Sequence, residues 1–80
     1  MAKERQRRNE KGISVLGGNI RKYRGARGLT IEQLANLLEV DYSQISRMER
    51  GVVNAHVSMV FDIAEALGVS ASQLLEDAGQ

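Results

Sequence analysis

The segment from residue 30 to residue 51, TIEQLANLLEVDYSQISRMERG, constrains the fold most, because it predicts two short helices joined by a very tight turn. Thr30 is a favourable N-cap for the first of these helices, and Gln33 three residues later completes a capping box. Asp41 is expected to cap the second helix, and Gly51 to end it. The inward positions of this second helix, spaced along one helical face, are Ile45, Met48 and Glu49. Its opposite, polar and cationic face comprises Tyr42, Ser43, Ser46, Arg47 and Arg50.

Helical spacing also predicts what precedes this segment. Residues 1–12 are polar and basic and are interpreted as a flexible arm, with one helix-turn-helix domain from residue 13 to residue 80. A first helix is expected from Ile13 to about Arg27, with Gly28 as its C-terminal cap. The apolar positions that recur at helical spacing in this first helix are Leu16, Ile20 and Tyr23.

The remaining apolar positions predict an all-α bundle of five helices with short connections. Gly17 and Gly18 weaken the first helix but would allow close approach to a neighbouring one. The second helix is expected to bury Leu34, Ala35 and Leu38. A fourth helix, closed by Gly68, is marked by Val57, Val60, Phe61, Ala64 and Leu67. Ser70 is expected to cap a short fifth helix that carries Leu74 and Leu75.

Composition narrows the function classes. The chain has 80 residues, of which 42% are hydrophobic and 26% charged, as expected of a single small globular domain. Because it has no cysteine, neither a disulfide framework nor a thiolate metal site can form, and we expect no metal or other cofactor. We find no long apolar run and no secretory signal, so a cytoplasmic location is expected, in a prokaryotic cytosol or encoded by a phage.

The net charge of +1 conceals a strong separation of charge along the chain. Residues 1–28 contain nine lysines or arginines and two glutamates, whereas residues 29–80 contain two arginines and eight acids. A polyanion would therefore meet one basic end and a third helix whose exposed charges are arginines. A basic tail that is merely solvated remains the alternative for residues 1–12.

The polar face of the third helix has the chemistry that a major-groove reader needs, namely donors and acceptors at its exposed N-terminal end. Arg47 could form a fork onto O6 and N7 of guanine. Arg50, one turn further, is better placed for a backbone phosphate. Thr30 begins the second helix, where free backbone N–H groups and the helix dipole favour a phosphate oxygen.

About three-quarters of the chain, from Leu16 to Leu75, resembles the helix-turn-helix domain of the Cro/CI (XRE-type) repressor family. The matching motifs are I-R-K-Y-R at 20–24, G-L-T at 28–30, L-A at 34–35, I-S-R-M-E-R-G at 45–51, I-A-E-A-L-G-V-S at 63–70 and L-L at 74–75. The resemblance implies a five-helix lambda-repressor-like fold. It also implies a transcriptional regulator that binds a palindromic operator in double-stranded DNA as a homodimer.

The resemblance also implies roles for individual residues. Base readout falls on Tyr42, Ser43 and Arg47, with Gln44 and Ser46 as further contributors. Phosphate contacts fall on Thr30, Arg50 and the backbone around Ile31. Arg24 of the first helix is expected to pair with Glu49 in a partly buried, structural ion pair, which agrees with the helical spacing of both residues.

Three departures from the family pattern stand out. Glu39 occupies the turn where the family usually has glycine, and a positive φ there would carry strain of about 1–3 kcal/mol. Ile31 replaces a frequent glutamine, so this position offers a backbone N–H but no side-chain donor. After Gly51, residues 52–55 lack the basic residues and the proline that the family tends to have.

One other function class remains open as an alternative to DNA reading. It is a protein-interaction module, such as an antitoxin-like partner that binds a toxin or another protein and binds DNA only secondarily. Enzyme activity is not expected, since no nucleophile motif is present and His56 stands alone without a second metal ligand.

The dimer seam is expected on the C-terminal helices, at residues such as Leu74 and Leu75, or at the Val52–Val53 loop.

Overall fold

The structure, a computed structural model, describes residues 8–77, and within this range the chain is all-helical. Its five helices are α1 (Glu10–Ala26), α2 (Ile31–Leu38), α3 (Tyr42–Glu49), α4 (Val57–Leu67) and α5 (Ala71–Leu75). The predicted fold class, an all-α bundle of five helices, is therefore confirmed. Residues 1–7, which form most of the predicted arm, lie outside the described residues, so the arm stays a prediction there.

One aliphatic core joins all five helices. α1 packs against α3 and α5, and α2 packs against α3 and α4. Each helix contributes at least one side chain with almost no exposed surface. These fully buried side chains are Ile20, Leu34, Ile45, Ile63, Leu67 and Leu74. Because helices this short are marginal in isolation, the burial of these faces supplies most of their stability.

The helix ends largely follow the predicted caps. Thr30 and Ser70 each form a complete capping box, with Gln33 and Gln73 respectively. Gly68 is the C-cap residue of α4, with φ 72°. The C-cap residue of α1 is Arg27 and not Gly28 as expected; Gly28 is the next residue and has φ 70°. Asp41 is at the N-cap position of α3, but the expectation that its side chain caps the helix is wrong, because the Gln44 N–H donates to the Asp41 carbonyl instead.

α1 begins at Glu10, three residues before the predicted start at Ile13. The side chain of Asn9 caps it by accepting a hydrogen bond of 2.7 Å from the Gly12 N–H. Arg8 is also held in place, since its guanidinium contacts the Glu10 carboxylate at 2.8 Å and donates to the Val52 carbonyl at 3.2 Å. The first turn of α1 therefore forms despite Gly12, because the Asn9 cap offsets the helix-weakening effect of this glycine.

Two of the apolar positions that predict α4 do not enter the core. The buried stripe of this helix consists of Val60, Ile63, Ala64 and Leu67. Val57 and Phe61 flank this stripe and remain 71% and 60% exposed. In α5, Leu74 is fully buried, so the expectation that it contributes to a dimer seam is wrong. Leu75, the next residue, is 56% exposed.

The turn between α2 and α3 contains the backbone strain that its sequence predicts. Glu39 has φ 59° and ψ 43°, the left-handed conformation that glycine adopts without a steric penalty. The turn is closed by two backbone hydrogen bonds, from the Glu39 N–H to the Asn36 carbonyl and from the Val40 N–H to the Ala35 carbonyl. This bonding pattern ends α2 abruptly and directs the chain into α3.

We predict that Glu39→Gly stabilises the protein by about 1 kcal/mol, because relief of the left-handed strain outweighs the added flexibility of the unfolded chain. Urea unfolding, followed by far-UV circular dichroism, measures the change. Glu39→Ala is the matched control, since it removes the same carboxylate but retains a Cβ. Equal stabilisation by both variants would show that the carboxylate, and not the backbone conformation, is responsible.

Candidate nucleic-acid interface

α3 presents its predicted polar face to solvent. Ile45 and Met48 are buried between α3 and the rest of the bundle. On the other side Tyr42, Ser43 and Arg47 are exposed, while Gln44 and Ser46 are half-buried. Arg50, the C-cap residue, is also exposed. The residues expected to read bases thus lie along one accessible ridge of a helix whose inner face is fixed by packing.

A bidentate ion pair holds the end of α3 against α1. Arg24 donates from Nε to Glu49 Oε2 at 2.6 Å and from Nη2 to Oε1 at 2.9 Å. The two side chains are only 15% and 5% exposed. This hydrogen bonding to Glu49 raises the pKa of Arg24 above its ordinary value, so the guanidinium stays charged.

The same guanidinium reaches a third element. Arg24 Nη1 donates to the Leu29 carbonyl at 2.8 Å, in the connection between α1 and α2. With Glu49 it therefore ties together α1, the start of the helix-turn-helix segment and the end of α3. The structure thus forms the ion pair that the family resemblance implies.

Gly17 brings the backbones of α1 and α3 into direct contact. A Cβ placed on this glycine would collide with the Met48 carbonyl oxygen and would lie 2.9 Å from that of Glu49. At Gly18 the same construction meets nothing within 4 Å. The expected close approach of helices at this glycine pair therefore occurs at Gly17, and it involves the last turn of α3.

The predicted phosphate-binding residues lie at the N-terminus of α2 and the C-terminus of α3. The hydroxyl of Thr30 accepts a 3.0 Å hydrogen bond from the Gln33 N–H. Gln33 in turn accepts from the Thr30 N–H. The N–H groups of Ile31 and Glu32, in the first turn of the helix, have no intrahelical acceptor and are available to an anion.

An open cleft of about 290 Å³ lies where α1, α2 and α3 meet. It brings together three of the predicted contact residues, Ile31, Ser46 and Arg50, with the Arg24–Glu49 pair. Arg21 also lines it and was not among the expected site residues. The sequence signal for Arg21 is its position one helical turn before Arg24, on the same side of α1.

The other predicted readers lie outside this cleft. Gln44 and Arg47 line a second depression of about 210 Å³, together with His56 and Met59. His56 occupies the N-cap position of α4, but its side chain makes no capping hydrogen bond. Residues 8–77 contain no group of three or more His, Asp or Glu side chains that could hold a metal ion.

A fold of this kind defines a class, the helix-turn-helix proteins, and comparison with known proteins establishes the family. Residues 20–74 match the helix-turn-helix family HTH_3. The chain belongs to this family. The members of this family are DNA-binding regulators, and this membership supports the expectation that the protein is not an enzyme.

A relative from Neisseria meningitidis serogroup B, described as a hypothetical transcription factor, is 39% identical over 62 residues. The match covers 78% of this chain and 58% of that relative, so the chain spans little more than half of its length. Within residues 8–77, no helix is both long and apolar enough to cross a membrane.

Three solved structures share the fold. The hypothetical transcription factor NHTF from Neisseria has a TM-score of 0.79 at 34% identity, over 91% of this chain and 85% of that one. The clp gene regulator ClgR from Corynebacterium glutamicum has a TM-score of 0.79 at 28% identity, over 84% and 71% respectively. The restriction-modification controller C.AhdI from Aeromonas hydrophila has a TM-score of 0.74 at 32% identity, over 78% and 94%.

The contact at Gly17 predicts opposite effects of two neighbouring substitutions. Gly17→Ala should destabilise the protein by about 1–3 kcal/mol, because the new methyl group forces the backbone of α3 away from α1. Gly18→Ala should stabilise it by about 1 kcal/mol, since it improves helix propensity in open space. Thermal unfolding of both variants tests this, and a change of the same sign in both would contradict the packing described here.

Proposed function

We propose that the chain is a sequence-specific DNA-binding transcriptional regulator that binds a palindromic operator as a homodimer. The observation that carries this proposal is the exposed polar ridge of α3, fixed to the bundle by its buried inner face and by the Arg24–Glu49 pair. The related proteins described as transcription factors and gene regulators support it.

Base readout is assigned to the ridge of α3. Tyr42 and Ser43 occupy its first turn and are exposed, so their hydroxyls can reach base edges in the major groove. Arg47, one turn later, can form a bidentate contact with guanine. Gln44 and Ser46 are half-buried and flank the same ridge, where they can contribute secondary contacts.

The phosphate contacts are assigned to both ends of the helix-turn-helix segment. Arg50 is exposed at the C-cap of α3, next to the first turn of α2. The N–H groups of Ile31 and Glu32 add a partial positive charge there. The Thr30 hydroxyl, which accepts from Gln33, can still donate its own hydrogen to a phosphate oxygen.

A dimer seam is assigned to the apolar surface formed by α4 and α5. Val57, Phe61 and Leu75 are all more than half exposed. They line a groove of about 320 Å³ whose floor includes Ile13 and Leu16. A contiguous exposed apolar cluster can mark a protein–protein interface. To read two half-sites one helical turn of DNA apart, the dimer must place its two copies of α3 about 34 Å apart.

Substitutions at Arg47 and Arg50 separate base reading from backbone binding. Arg47→Ala should relax the preference at one operator position by about 1–3 kcal/mol. Arg50→Ala should weaken binding to all duplexes and lower the salt slope by about 1. Fluorescence anisotropy on the operator and its single-base variants, over a series of salt concentrations, measures both effects.

Arg47→Lys is the control for charge, because it retains the cation but loses the planar fork. It should relax specificity as Arg47→Ala does, while the salt slope stays that of the parent. If all three variants bound duplexes like the parent, the major-groove proposal would be wrong. Salt-insensitive or absent duplex binding, together with tight binding of a second protein, would instead favour the antitoxin-like alternative.

The seam is tested by placing a charge on it. Phe61→Glu should convert the dimer to a monomer in sedimentation equilibrium, because the carboxylate would have to be desolvated in the interface. Leu37→Glu on α2 is the matched control, since Leu37 is 59% exposed and Phe61 60%. Dissociation by Leu37→Glu alone would relocate the seam to α2, and a monomeric parent would exclude a stable dimer.

A further inference from the structure

The cleft between α1, α2 and α3 has more positive than negative side chains, even after its Arg24–Glu49 ion pair is set aside. Glu49 is the acidic residue that lines it, and both of its carboxylate oxygens are taken by Arg24. Within the described residues, Arg21 and Arg50 make no ion pair or side-chain hydrogen bond. The cleft therefore has two uncompensated guanidinium groups on its rim.

Arg21 and Arg50 both line this cleft, and an anion bound in it would interact favourably with both charges. Arg21 comes from α1 and Arg50 from the end of α3, so the two cations approach the cleft from different helices. The Ser46 hydroxyl and the first turn of α2 at Ile31 complete the lining with further donors. These groups suit a tetrahedral oxyanion, with several donors around one small volume.

The position of the cleft indicates which oxyanion would occupy it. Ser46, Glu49 and Arg50 of α3 line it, and helical spacing places Ser46 and Arg50 on the same face of α3 as Ser43 and Arg47. In a duplex read by that ridge, the nearest anions are the phosphodiesters that border the major groove. Because both arginines line the same cleft, a phosphate bound there would contact two cations rather than one.

We propose that Arg21 and Arg50 together bind one DNA backbone phosphate, so that Arg21 is a phosphate-binding residue contributed by α1 from outside the helix-turn-helix segment. This inference rests on the proposed DNA-binding function. Its consequence is that the register of the whole bundle on the duplex is set by α1 as well as by α2 and α3.

The test compares adjacent cations on α1. Arg21→Ala should lower affinity roughly tenfold, to similar extents for the operator and for random-sequence duplex, as expected for the loss of a charged hydrogen bond to phosphate. Lys22→Ala removes the same charge from the neighbouring residue, which lies over the Tyr23 ring and does not line the cleft. It should change affinity less than about twofold. Arg21→Lys should restore part of the affinity.

A shared phosphate also predicts non-additivity. The loss of affinity in the Arg21→Ala/Arg50→Ala double variant should be smaller than the product of the two single losses. Equal effects of Arg21→Ala and Lys22→Ala would reduce the role of Arg21 to general electrostatics and overturn the proposal. A strictly multiplicative double variant would overturn the shared site.

Two further controls identify the source of the phosphate and separate a failure of the proposed DNA-binding function from a failure of the role proposed for Arg21. Inorganic phosphate, compared with chloride at equal ionic strength, should not compete with duplex; competition specific to phosphate would assign the cleft to a free anion instead. If the parent protein bound no duplex, the proposed function would fail together with this inference. If the parent bound but Arg21→Ala and Arg21→Gln behaved like Lys22→Ala, this inference alone would fail.

Discussion

The buried pair between Arg24 and Glu49 is the interaction on which the functional surface depends. It joins α1 to the last residue of α3, and its third donor reaches the connection that leads into α2. Removing one partner of such a pair leaves an uncompensated buried charge, which typically costs about 3–5 kcal/mol. Together with the backbone contact at Gly17, the pair fixes the helix from which Arg47 and Arg50 extend.

The structure divides the arginines of the described residues into two groups, those with a partner within the fold and those without one. Arg8 contacts Glu10, Arg24 contacts Glu49, and Arg27 donates to the Leu67 carbonyl at 2.9 Å, where it complements the C-terminal end of α4. These three stabilise the fold. The arginines without a partner in the described part of the chain are Arg21, Arg47 and Arg50. All three line or border the proposed DNA surface, which makes it cationic without adding a strongly basic net charge.

Features within one helix or turn could be predicted from residue spacing, and the Arg24–Glu49 pair between α1 and α3 from the family resemblance. The extent to which each helix covers the faces of its neighbours could not be predicted. The capping box at Thr30 involves residues within one turn of each other, so spacing was sufficient. The strained turn at Glu39 was expected because the family that the chain resembles usually has glycine at this position. The exposure of Phe61 was missed because an apolar stripe does not show which of its edges the next helix covers. Arg21 was not predicted for a related reason, since the cleft that it lines forms only where three helices meet.

Selection of bound duplexes from a random library by the full chain, followed by sequencing, tests base reading and dimerisation together. We expect enrichment of a two-fold symmetric site, with half-site centres about 10 base pairs, or a multiple of one helical turn, apart. Recovery of duplexes without a common sequence would contradict base reading by α3. Enrichment of a single, unpaired half-site would retain that reading but contradict the dimer.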